Sequence, residues 1–145
     1  MSYLLDTNVL SEIRKPHADA GVKTWFGGVR GDELYLSVLV LGEVRQGVER
    51  LRKRDEAQAA VFEGWLEGLA ANYRDRILPV DGEVAETWGR LNAGDPLPVI
   101  DGLLAATALT HGLTLVTRNT RDVARSGVIL LNPFAADKGL QGDRS

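Results

Sequence analysis

Short apolar runs alternate with longer stretches in which apolar residues recur every three or four positions, and this predicts strands interleaved with helices. Residues 2–5 are a short apolar run ended by Asp6, the pattern of a buried strand. Asp6 or Thr7 can cap a short helix over 8–14, which Pro16 stops. A second helix covers 19–26 and is closed by Gly27 and Gly28. Residues 33–37 read as a strand, and 38–54 as a long helix with Val40, Val44, Val48 and Leu51 along one stripe. The helix over 56–73 turns Val61, Trp65, Leu66 and Leu69 inward. A short extended piece at 76–79 precedes a helix over 83–91, capped by Asp81, with Val84, Trp88 and Leu91 on one face. After a Gly/Pro loop at 92–98, residues 99–110 form a helix apolar almost all round and hence buried, with His111 and Gly112 as its C-terminal stop. Strands at 113–117 and 128–131 flank a short turn or helix at 120–125, and 135–145 is a polar, frayed tail. No repeat or low-complexity tract interrupts the series. Continuous apolar strands between helices imply an α/β fold with a central, mostly parallel sheet and helices on both faces.

Composition narrows the class. At 145 residues, with 44% hydrophobic and 26% charged content, the chain has the make-up of one ordinary soluble domain. No apolar run approaches the ~18 residues of a membrane span. The opening Met-Ser-Tyr-Leu-Leu-Asp lacks the basic and long apolar regions of a secretory signal. The absence of Cys rules out disulfide support and fits a cytoplasmic location. A net charge of −3 is unlike that of a sequence-independent nucleic-acid binder, although cations bound to an acidic cluster would offset part of it. Arg45, Arg50, Arg52, Lys53 and Arg54 fall within one short run, which suits either a phosphate-facing surface or a solvated helix end.

Four carboxylates stand alone beside apolar runs: Asp6, Glu43, Asp101 and Asp122. Carboxylates rarely enter a core unpaired. Several converging would repel one another, and a hard divalent cation is the simplest way to hold them together. With no Cys and two His, the usual ligands of Zn²⁺ are missing, so the acids point to Mg²⁺ or Mn²⁺ and to phosphodiester chemistry. The predicted topology lets them share one edge, since working groups collect at the carboxyl ends of parallel strands. Asp6 ends the first strand, Glu43 rides on the helix after the second, Asp101 lies near a helix start, and Thr117, Asn119 and Asp122 follow the strand at 113–117.

Each acid also has a plainer reading. Asp6 can be a simple N-cap. Glu43 can merely border an apolar stripe, though no Lys or Arg stands three or four residues away to pair with it. Asp101 gains from the dipole of its helix. Asp122 lies among Arg118, Arg121 and Arg125, a ready surface ion pair. His17 and His111 read as a turn residue and a helix end, and Trp25, Trp65 and Trp88 as core. No phosphate-loop or dinucleotide glycine motif occurs.

Four segments carry a family resemblance: Leu4-Leu5-Asp6-Thr7-Asn8-Val9-Leu10-Ser11-Glu12, Ser37-Val38-Leu39-Val40-Leu41-Gly42-Glu43-Val44, Val99-Ile100-Asp101-Gly102-Leu103-Leu104-Ala105-Ala106-Thr107-Ala108 and Leu115-Val116-Thr117-Arg118-Asn119-Thr120-Arg121-Asp122-Val123. In this order and spacing they resemble the PIN-domain ribonucleases, and among them the VapC-type toxins of bacterial toxin–antitoxin pairs. The resemblance covers about 2–134 and implies a PIN-like three-layer fold over 1–134, followed by the tail at 135–145. It implies that Asp6, Glu43 and Asp101 bind Mg²⁺ or Mn²⁺. The family's fourth acid stands at either the position of Asn119 or that of Asp122; only Asp122 is acidic here, so the role passes to it. Thr7 and Asn8 match the polar positions that orient the first acid, and Thr117 the one beside the last. The resemblance further implies RNA cleavage, a homodimer, and a small antitoxin whose C-terminal segment enters the active-site groove.

Two rival readings remain open from the residues. Asp6-Thr7-Asn8-Val9 partly mimics the strand end of haloacid-dehalogenase-like phosphatases, with Asp6 as nucleophile, but Asn8 replaces the second acid and no well-placed Lys follows a later strand. The other rival is a non-catalytic domain that binds RNA or a protein partner.

Overall fold

The computed structural model describes residues 1–137. Among them, strands β1 (Tyr3–Leu5), β2 (Leu34–Ser37), β3 (Ile77–Leu78), β4 (Thr114–Val116) and β5 (Leu130–Leu131) form one sheet in the order β3-β2-β1-β4-β5. Every neighbouring pair is parallel, and Leu4 sits in register between Tyr35 and Leu115. Between the strands run α1 (Thr7–Ile13), α2 (Ala20–Gly28), α3 (Val38–Arg52), α4 (Glu56–Asn72), α5 (Gly82–Leu91), α6 (Val99–His111) and α7 (Thr120–Val123).

From β1 the chain moves outward to β2 and β3, then returns past β1 to β4 and β5. Right-handed crossovers therefore lay α1 to α4 on one face and α5 to α7 on the other. Packing agrees: α1 meets α2 and α3, α3 meets α4, α5 meets α6, and α6 meets α7. The three-layer expectation holds. The direction of winding reverses between β1 and β4, and a crevice opens beyond their carboxyl ends.

Local chemistry explains the element ends. The side chains of Asp19, Ser37, Asp55 and Asp81 each accept a backbone N–H two or three residues on, at 2.9–3.2 Å, and so start α2 to α5. Gly112, at φ 66°, ends α6 in the left-handed region that a side chain would resist. The core is built from Leu4, Leu5, Leu36, Leu104, Leu115 and Val116, all buried.

Some sequence expectations need correction. Val61 does not face in: it is 56% exposed, while Ala59, Leu66 and Leu69 carry the buried line of α4. Five residues at 100° each set Val61 about 140° round the helix from Leu66. The helix at 99–111 is not buried on all sides either, because Val99 and Leu109 remain exposed. In the basic run, Arg45 and Arg52 pair with Glu49 and Glu63 at 2.5–3.1 Å. Those two arginines tie α3 to α4 rather than facing phosphate, and exposed pairs of this kind add little stability.

Of the expected tail, residues 135–137 form a helical turn held to the body. Asp19 accepts the N–H groups of Ala135 and Ala136 at 2.8 and 3.2 Å, and Arg118 grips Asp137 through two nitrogens at 3.0–3.3 Å. Residues 138–145 lie outside the described part. Among the described residues, no helix is long and apolar enough to cross a membrane.

Candidate active site

The crevice between β1 and β4 gathers Asp6, Glu43 and Asp101 of the predicted acids, with Thr7, Asn8 and Asn119. Asp6 leaves β1, donates its N–H to the Val116 carbonyl at 2.9 Å, and is only 7% exposed. Its Oδ1 accepts the N–H of Thr7 at 2.7 Å. A helix cap usually reaches the second or third amide of the helix; Asp6 reaches only its immediate neighbour. Its other oxygen, Oδ2, accepts the Thr117 hydroxyl at 2.7 Å, with the Asn8 amide at 3.4 Å. Burial pushes the Asp6 carboxyl above its ordinary value, and the bonds from Thr117 and Thr7 oppose that rise. The cap reading is thus part of the truth, since one oxygen serves α1 and the other serves the end of β4.

Glu43 projects from α3 toward the same point. Thr7 donates its hydroxyl to Glu43 Oε1 at 2.7 Å. Asp101 lies in the first turn of α6, where the helix dipole favours an anion. Its carboxyl is nonetheless pushed up to about 6, by burial first and then by the charges of Asp6, Asp122 and Glu43. Those three charges place Asp6, Asp122 and Glu43 each within electrostatic reach of Asp101. Among the described residues, no Lys or Arg forms an ion pair with any of the four. The surface pair suggested for Asp122 does not form: Arg118 pairs with Asp137, and Arg125 with Asp95 at 3.3 Å.

These groups border a cleft of about 510 Å³, lined by Asp6, Thr7, Asn8, Glu43, Asp101 and Asn119, with Ser11 beyond. From the turn after β4, the residue on the cleft wall is Asn119, while Asp122 stands exposed on α7 and acts on Asp101 through its charge. Thr117 accepts the Asn119 N–H at 3.0 Å, so one hydroxyl fixes both Asp6 and this turn. Sequence reasoning passes over Ser11, although it stands four residues after Thr7 and therefore on the same helix face.

The donor set suits a hard cation, being all oxygen and without a competing positive charge. Among the described residues, no three acidic or histidine side chains draw together tightly enough to cage a metal alone. Mg²⁺ fits that arrangement, because it keeps several waters and binds through one or two carboxylates plus substrate phosphate. A phosphatase using Asp6 as nucleophile fits poorly, because the neighbouring acid it needs is the amide of Asn8, which donates to Asp6 Oδ2 at 3.4 Å.

Comparison with known proteins identifies the family of the chain. The PIN domain model matches residues 3–126. Toxin FitB of Neisseria gonorrhoeae is 32% identical over 136 residues, which span 90% of this chain and 97% of FitB. VapC ribonuclease Y4jK of Sinorhizobium fredii is 31% identical over 137 residues, spanning 90% of this chain and 96% of that protein. The crystal structure of FitAcB from Neisseria gonorrhoeae superimposes with a TM-score of 0.83 at 33% identity, over 90% of this chain and 97% of that one. This chain belongs to the PIN-domain family, within its branch of VapC-type toxins.

Proposed function

We propose that this protein is a Mg²⁺-dependent endoribonuclease, with Mn²⁺ able to substitute, acting in the cytoplasm as the toxin of a toxin–antitoxin pair. The observation that carries the chemistry is the convergence of Asp6, Glu43 and Asp101 on one cleft at the strand-order switch point, with the charge of Asp122 acting on Asp101 from α7 and no described Lys or Arg paired with any of them. Relatives named as a toxin and as a VapC ribonuclease support the biological role. The nuclease unit spans 1–134 in this reading. A small antitoxin closes the cleft with its C-terminal segment, and two copies of the chain form a homodimer.

Asp6 and Asp101 would bind the metal directly, and Glu43 and Asp122 would bind it or hold its waters. When bound, the metal supplies hydroxide near neutral pH and stabilises charge on the cleaved phosphodiester. The chain itself supplies position. Thr7 holds Glu43 by one oxygen, Oε1, and Thr117 and Asn8 aim the Asp6 carboxylate. Asp101 must lose its proton to become an anionic donor, and in the metal-free chain burial and the neighbouring acids raise its value to about 6. No side chain acts as a nucleophile in this scheme, so catalysis rests on preorganised charge.

Thr117→Val removes the hydroxyl that favours ionised Asp6. Divalent-metal affinity is expected to fall about tenfold, as for other residues that orient a ligand, and Thr117→Ser should restore it; calorimetric titration with Mn²⁺ checks both. The reading as a whole is tested by incubating the purified, partner-free chain with a structured RNA pool. Cutting with Mg²⁺ or Mn²⁺ that stops in EDTA supports it, and cutting that persists in EDTA sinks the metal-dependent mechanism.

A further inference from the structure

We propose that Arg14 is a phosphate-binding subsite for the RNA strand, seated beside the acidic cleft on a platform of Phe62 and Trp65. The proposal rests on the ribonuclease reading above.

Thr7, Ser11 and Arg14 follow one another at helical spacing along α1 and its C-terminal cap, so they share one face. Thr7 and Ser11 line the cleft, and Arg14 continues the track about 10 Å from Thr7 at 1.5 Å per residue. The Arg14 guanidinium lies 4.2 Å from the Phe62 ring centre and 5.0 Å from that of Trp65. The two rings meet edge to face at 6.3 Å. Stacking of this kind fixes a guanidinium and leaves its rim of N–H groups pointing outward.

Arg14 differs from the other fixed arginines in its partners. Arg45, Arg52, Arg118 and Arg125 are each paired with carboxylates, and Arg76, which also stacks on a ring, donates to the Leu34 and Asn72 carbonyls, whereas among the described residues no carboxylate pairs with Arg14. A cleft lined by acids repels a polyanion at every phosphate except the one a cation bridges. A positive anchor just outside it, preorganised and without a carboxylate partner among the described residues, is what a neighbouring phosphate needs. Placement in line with the acids favours an RNA strand over an acidic protein segment as the occupant.

Arg14→Met keeps an unbranched stem over the rings and removes the charge and the donors. In RNA-pool cleavage with Mn²⁺, KM is expected to rise about tenfold with kcat unchanged. The slope of log(1/KM) against log salt should become shallower by about 0.7, the loss of one single-strand phosphate contact. Arg14→Lys should recover the slope but not the full affinity, and it carries the test if Arg14→Met fails to fold. Unchanged KM and slope would overturn the proposal. A fall in kcat alone would also overturn it, because it marks a structural effect on the acids. So would unchanged RNA parameters with weakened binding of a polyglutamate peptide, which would mark a protein-docking site. If the unsubstituted chain cuts no RNA, the ribonuclease reading fails and takes this subsite with it; if it cuts and Arg14→Met behaves identically, the subsite alone fails.

Discussion

Replacing Asp101 by Asn is expected to lower RNA cleavage by on the order of 10³-fold while leaving the chain at least as stable as before. The amide fills the same space in the first turn of α6, so the packing of Leu104, Ala105 and Ala108 against the sheet is untouched. What disappears is the negative charge, and with it one of the anionic donors that hold the metal against the scissile phosphate.

Stability moves the other way, and pH shows why. The Asp101 carboxyl has an ordinary value of 3.8 and is pushed up to about 6 in the folded chain. Below 3.8 it is protonated whether folded or unfolded, and its contribution to stability is fully present. As pH rises from 3.8 the unfolded chain ionises first, and stability falls until, above about 6, the folded chain too bears a half-buried charge beside other acids. Asn never ionises. Measured in EDTA, the melting temperature of Asp101→Asn minus that of the unsubstituted chain should be near zero below about pH 4 and grow up to about pH 7. Adding Mn²⁺ should raise the melting point of the unsubstituted chain more than that of the variant. A difference independent of pH would mean that Asp101 does not sit among the other carboxylates.

Gly21→Ala is expected to produce the largest loss of stability from a single methyl group. A Cβ at position 21 would overlap the Pro133 carbonyl oxygen and come within 2.6 Å of the Ala135 nitrogen. Both neighbours are backbone, so neither can swing aside. The same contact brings the C-terminal segment onto Asp19, which accepts N–H groups from its own helix, at Gly21 and Val22, and from Ala135 and Ala136. Forcing the two apart costs about 1–3 kcal/mol as an overpacking change and loosens the cover over buried Phe134. Melting should fall by about 2–4 °C for each kcal/mol lost. Gly27→Ala is the control: it lies on the same α2, nothing stands within 4 Å of its Cβ, and it should be neutral or stabilising. Equal melting of the two variants would show that the C-terminal segment is not docked on α2. The segment also leads back to the site, since Arg118 grips Asp137, stacks at 4.5 Å over Phe134, and donates its backbone N–H to Asn8 Oδ1 at 3.3 Å.

Much of this molecule is legible along the chain because the signals are local. A strand ends where Asp6 interrupts Leu4-Leu5, a helix ends where Gly112 takes a left-handed φ, and Val40, Val44 and Val48 repeat on one side of α3. Periodicity and capping depend on residues a few positions apart, so they survive without knowledge of the fold. The alternation of such elements is enough for a parallel α/β sheet, and a parallel sheet is enough to send Asp6 and Thr117 to the same edge.

Other facts depend on residues far apart in sequence, and no window of the chain contains them. Thr117 meets Asp6 across 111 positions, and Thr7 meets Glu43 across 36. The turn after β4 presents Asn119 to the cleft and Asp122 to solvent, a difference of orientation that composition does not encode. Val61 reads as core and is exposed, because which side of α4 is buried is set by α3 and not by the apolar count of α4 itself. Arg118 reads as a partner for Asp122 from its position, yet it turns to Asp137, which the fold of the C-terminal segment brings to 3.0 Å. Elements and their order follow from short-range hydrophobic and hydrogen-bonding preferences. Pairing, orientation and the raised carboxyl of Asp101 arise only when strands lie side by side, because burial and charge repulsion act through space and not along the chain.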